Sequence, residues 1–151
     1  MAFFKLIHLL SVLIWVGGMF FAYLVLRPAA VEVLQPPERL RLWVNVFQRF
    51  FKWVWHAVGL ILITGFGMIY LYGGMGHVAH YIHIMLLLGL VMTGIFTYVF
   101  FACYKQLKQS VSNEQWKEAG EILGKIRKLV GLNLALGLIT FSVAVIGATL
   151  G

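Results

Sequence analysis

The reading of the fold turns on residues 53–104, WVWHAVGLILITGFGMIYLYGGMGHVAHYIHIMLLLGLVMTGIFTYVFFACY, a run of 52 residues without Asp, Glu, Lys or Arg. A helix rises 1.5 Å per residue, so ~20 residues cross a ~30 Å hydrocarbon core. The run is too long for one crossing and right for two. Its only breaker cluster, Gly73-Gly74-Met75-Gly76, supplies the reversal, because glycine turns tightly without a side-chain clash. Working outward, 21 uncharged residues separate Lys5 from Arg27, and 23 more run from Leu129 to Gly151. Each holds one span. The sequence therefore predicts an all-α, four-helix transmembrane bundle with spans at about 3–26, 51–72, 79–104 and 128–150. All of 1–151 forms a single integral membrane domain in this reading.

Composition agrees. The chain is 62% apolar and 11% charged, with a mean hydropathy of +0.92. Soluble domains run nearer ~45–50% apolar and ~25% charged. A soluble globule, a disordered tail and a disulfide scaffold are excluded, and the lone Cys103 has no internal partner. The net charge of +7 would suggest nucleic acid in a soluble protein. In so apolar a chain it points to anionic headgroups of the lipid bilayer and to no nucleic acid.

Eleven of the twelve basic residues fall in the connections 27–52 and 105–128, and only Lys5 lies elsewhere. The positive-inside rule places those connections in the cytoplasm, with both termini and the short hairpin outside a bacterial-type cytoplasmic (inner) membrane. The apolar start lacks a small-residue cleavage site and is of span length, so it reads as helix one rather than a signal peptide. After Pro36-Pro37, the apolar residues Leu40, Trp43, Val44, Phe47, Phe50, Phe51 and Val54 recur at helical spacing. Ser112 and Gln115 suggest a capping box ahead of Trp116, after which Ala119, Leu123, Ile126 and Val130 continue a stripe. The helices are thus expected to extend beyond the bilayer on the cytoplasmic side, as packing or lipid-surface faces.

Chemistry rests with five histidines, His8, His56, His77, His80 and His83. Asp is absent and no Glu lies in a span, so paired carboxylates, buried acid relays and Ser-His-Asp catalysis are unsupported. His8 enters helix one, and His83 helix three, at about the same depth from the outer face. Facing histidines at one depth suit the two axial positions of a b-type heme. Ser11, Trp15, Gly18 and Ala22 share the His8 face, with Gly18 and Ala22 as a small-residue step that makes room or simply packs helices. Intramembrane ionisable residues are costly and commonly functional. The alternative is a pair of hydrogen-bonded structural histidines. Lys5, one turn outward from His8, is placed to meet a heme propionate.

His56 lies at the opposite end beside Trp53 and Trp55, either in an aromatic belt or at a second metal site. His77, His80 and His83 step by three, with Met75 just before, and imidazole plus thioether suits copper. Met68, Met85 and Met92 are the remaining soft donors near the hairpin, although methionine in an apolar helix is commonly filler.

His8-Leu-Leu-Ser-Val-Leu-Ile-Trp15-Val-Gly17-Gly18, followed by Leu26-Arg27-Pro28, resembles the first helix of the CopD-like integral membrane family, named for copper resistance. It is similar also to HemJ, a four-helix family linked to protoporphyrinogen oxidation and heme. Tyr81-Ile82-His83 is similar to the HemJ third-helix opening, and Arg127 with Asn133 loosely to its fourth-helix Arg…Asn-Glu element. The HemJ lysine two residues after the histidine is Met85 here, and the acid after its asparagine is Leu134. Protoporphyrinogen oxidase activity is therefore not carried over. The resemblance implies His8 and His83 as heme ligands, with Trp15, Gly17 and Gly18 around them.

The leading expectation is a heme b membrane protein for one-electron transfer, with quinone or another redox partner and any oxidoreductase turnover left open. The alternative is copper binding or transport through Met75, His77, His80 and His8. The third reading is a cofactor-free assembly subunit, with a homodimer favoured by its 16 glycines.

Overall fold

The computed structural model describes residues 1–150, and four long helices account for nearly all of them. They are α1 (Ala2–Val33), α2 (Pro36–Leu71), α3 (His80–Ser112) and α4 (Trp116–Leu150), each long and apolar enough to cross a membrane. Helices satisfy every interior backbone group within their own segment, which is the reason apolar runs of this length adopt them in lipid. At 32 to 36 residues, all four are longer than the ~20 residues that cross a hydrocarbon core. Pro36 opens α2 from an extended Gln35, and the helix continues unbroken through the Leu40–Val54 stripe into the span. Leu40, Trp43, Phe47, Phe51 and Val54 are buried, as their spacing predicts.

α1 also passes its charge boundary and ends at Val33. Residues Phe21–Leu26 are wound as a π-helix immediately before Arg27-Pro28. Proline lacks the amide hydrogen that the preceding turn would receive, and a wider turn is one way a helix absorbs that loss. A second π segment, Val99–Tyr104, lies in α3 at the end of its span.

Two turns reverse the chain by one mechanism. Gly74 N–H donates to Ile69 C=O and Gly73 N–H to Tyr70 C=O, with Gly73 at φ 98°. Gln115 N–H donates to Ser110 C=O and Glu114 N–H to Val111 C=O, with Glu114 at φ 56°. Both are Schellman closures, which satisfy the orphan carbonyls of a helix end through one left-handed residue. The second corrects the capping box expected at Ser112–Gln115. Ser112 is the last residue of α3, and α4 starts at Trp116, so the tight C-terminal closure takes the residues the box would need.

α1 packs along α2, and α3 along α4; α4 also contacts α1, while α2 meets α3 chiefly over residues 99–112. The common core lies toward the basic connections, where Val54, Cys103, Leu107 and Ile126 are fully enclosed. Phe51 is 2% exposed, stacked on Phe47 at 4.9 Å and 6°, with Phe96 and Tyr104 edge-on at 5.4 and 5.3 Å.

Candidate functional site at the hairpin end

The end of the bundle near the Gly73–Gly76 hairpin carries four of the five histidines. Val16 and Met92 supply a common height marker, since a Cβ placed on Gly137 would stand 2.9 Å from Val16 Cγ2 and 3.2 Å from Met92 Cε. His8 is eight residues above Val16 and His83 nine above Met92. At 1.5 Å per residue these imidazoles lie ~12 and ~13.5 Å from the shared level, nearly the same depth.

Their partners differ. The Thr64 hydroxyl donates to Leu60 C=O, so its oxygen is free to accept from His8 Nδ1–H at 2.9 Å. His8 is half-buried against α2, and a Cβ on Gly65 would meet its ring at 3.4 Å. His83, also half-buried, donates Nδ1–H to Ala79 C=O one turn earlier, at 3.3 Å. A neutral imidazole that donates Nδ1–H keeps its lone pair on Nε2, the arrangement seen for metal-binding imidazoles oriented by an outer partner. Thr64 is the residue that sequence reading missed. Its spacing along α2 carries no signal for a partner 56 residues away.

His80 and His83 come together on the first turn of α3, with ring centroids 6.4 Å apart and planes tilted by 46°. His80 is exposed, as are His77 and Met75 on the short 3₁₀ turn Met75–His77 that leads into the helix. The His77 ring folds back over Gly73. Among the described residues no three His, Cys, Asp or Glu side chains cluster as a metal site. Among the described residues His80 and His83 are the one pair of histidine rings brought together.

The other candidate residues serve different ends. Trp15 is buried at 4% exposure and meets Phe96 edge-on at 6.1 Å, facing a cavity of about 20 Å³ that Asn133 also lines. A Cβ on Gly18 would collide with the Phe50 ring, so the space this glycine leaves is taken by α2. Gly17 and Lys5 are exposed. His56 is exposed at the far side of α2, its Nδ1–H given to Lys52 C=O at 2.7 Å and its ring 6.4 Å from Trp53. It shares no site with the hairpin histidines.

The family model described as CopD, copper resistance protein D, matches residues 44–146. No curated protein and no solved structure gives a significant match. The matched segment takes in the hairpin with His77, His80 and His83, and leaves His8 and the Trp15–Gly18 motif outside it. With that match over most of its length and four apolar helices of span length, the chain is an integral membrane protein of the CopD family.

Proposed function

We propose that this protein handles copper at the hairpin end of the bundle, with His80 and His83 as the capture pair. The observation that carries the reading is the approach of the two rings to 6.4 Å with His83 Nδ1 tied to Ala79, which leaves Nε2 for a metal. The matching family's name points to the same metal. Two imidazoles, with the Met75 thioether five residues before His80 in the chain, would offer a soft, uncharged donor set that suits Cu(I) over magnesium or calcium. The lack of any carboxylate there favours a cation that gains from covalent character rather than from charge alone. By the positive-inside rule the hairpin faces outward, so copper would be met on that side of the membrane.

The test is Cu(I) binding by the full chain in detergent, in competition with a chromogenic chelator. Wild-type protein is expected to hold one Cu(I), and the His80→Ala/His83→Ala double variant to lose it. Equal binding by the double variant would overturn the reading.

A second reading places a b-type heme between His8 and His83, and the observation that favours it is their matched height with both Nε2 atoms free. Such a group would supply one-electron chemistry, and His8 and His83, oriented by Thr64 and Ala79, would be the residues to hold it. The two readings part on one residue. His8→Ala abolishes a reduced b-type spectrum in the heme reading and leaves Cu(I) at His80 and His83 in the copper reading.

A further inference from the structure

At the opposite end of the bundle lies a larger space, about 220 Å³, bounded by the end of α1 and the starts of α2 and α4. Three guanidinium groups line it: Arg27 from the end of α1, Arg39 from the start of α2 and Arg127 from the start of the fourth span. These positions are far apart in sequence and meet only because α2 and α4 extend past their spans. Arg27 and Arg39 are half-buried. No acidic residue lines the cavity. Among the described residues the one ion pair is Arg41–Glu114, at 3.8 Å, and it lies outside the cavity wall. None of the three guanidinium groups donates a hydrogen bond to the protein among those residues.

Like charges converging on one concavity raise its positive potential and attract an anion. The remaining wall is not that of a simple ion site. Tyr23, Trp43 and Trp116 contribute aromatic surface, and Arg27 is held 5.0 Å from the centre of the Tyr23 ring. The deep end reaches Ala22 and Val130, which belong to the apolar spans. A small hydrated anion would satisfy the guanidiniums and leave this surface unused. An occupant with a phosphate head and an apolar body satisfies both.

We infer that this cavity is a binding site for the headgroup of an anionic phospholipid. Its phosphate would be gripped by Arg27, Arg39 and Arg127, and its chains would run along the spans. Guanidinium forks match phosphate oxygens two at a time, which a lysine point charge does not. Basic pockets between transmembrane helices at the headgroup level are a recurrent form of lipid recognition. The site is independent of the histidines at the other end.

The experiment titrates the full chain in detergent with dioleoyl phosphatidylglycerol or dioleoyl phosphatidylcholine, and counts bound lipid by native mass spectrometry. Phosphatidylglycerol is expected to bind about tenfold or more tightly than phosphatidylcholine. The Arg27→Gln/Arg39→Gln/Arg127→Gln variant should bring the two lipids to equal affinity. Gly124→Leu keeps every charge and grows into the cavity, because a Cβ there meets nothing within 4 Å. It should weaken phosphatidylglycerol selectively, and it decides the matter if the triple variant does not fold. Equal affinity of the two lipids for wild type, or unchanged phosphatidylglycerol binding by Gly124→Leu, overturns the assignment. So does full displacement of phosphatidylglycerol by inorganic phosphate, which would mark a free-anion site.

Discussion

The two ends of this bundle are built on different principles. Toward the basic connections, α2 and α3 interlock through Trp43, Phe47, Phe51, Phe96 and Tyr104, and residues such as Leu107 and Ile126 are sealed from outside. Toward the hairpin, among the described residues, α3 buries nothing before Met92 and α4 nothing after Gly137. In water the loose end would be a liability. In lipid, exposed Leu, Ile and Phe cost little, so a span holds its place without a partner on every face. The contrast teaches that stability is concentrated at one end, while four of the five histidines lie at the other. That division lets a site stay accessible while the fold is anchored elsewhere.

Five substitutions, read by thermal unfolding in detergent, would break or sharpen this contrast. Phe51→Ala removes the ring that contacts Phe47, Phe96 and Tyr104 and should cost about 3–5 kcal/mol, the range for a buried aromatic. Leu87→Ala, at a residue 63% exposed on α3, should stay within about 0.5 kcal/mol. Comparable losses from the two would erase the distinction between the ends.

Asn133 marks the boundary between them. Its Nδ2 donates to Met92 C=O at 3.1 Å, while its buried Oδ1 has no partner. An unmet buried acceptor costs about 1–3 kcal/mol, more than an interhelical hydrogen bond returns, so Asn133→Leu should stabilise by about 1 kcal/mol. A loss of stability instead would mean that Oδ1 is satisfied in solution, for example by a water in the adjoining cavity.

Glu114 closes the basic-end turn at a positive φ that glycine closes at the hairpin. Glu114→Gly should raise stability by up to about 1 kcal/mol, since left-handed backbone is strained for any residue with a Cβ. The exposed pair with Arg41 subtracts little from that. A small effect is also expected from Thr64→Val, which keeps shape and removes the acceptor of His8. A loss near 0.6 kcal/mol, the average for an interhelical hydrogen bond in a membrane, would identify an ordinary polar contact. If heme binding changes in the same variant, Thr64 positions His8 for the iron.

Much of the fold was legible from residue order. The Lys52–Lys105 gap and the glycine cluster inside it are local signals, as is the Leu40–Val54 stripe that extends α2. The turn before Trp116 was misread because Ser112 and Gln115 match a capping box, whereas the left-handed Glu114 that closes the turn leaves no mark in composition. Of the site, the His80–His83 contact follows from helical spacing alone. The His8–Thr64 bond does not, because it depends on how α1 is rotated against α2.

By itself, then, the sequence determined the number of spans, their approximate ends and the segregation of basic residues. Each is set by the requirement that backbone polar groups be satisfied within a segment and charges be kept out of hydrocarbon. Only the tertiary structure decided which faces meet: that Phe50 fills the space at Gly18, that Thr64 receives His8, and that Arg27, Arg39 and Arg127 surround one cavity. The physical reason is that a span apolar on every side offers no polar face to set its rotation. Inward and outward sides are then chosen by the packing of particular side chains across helices.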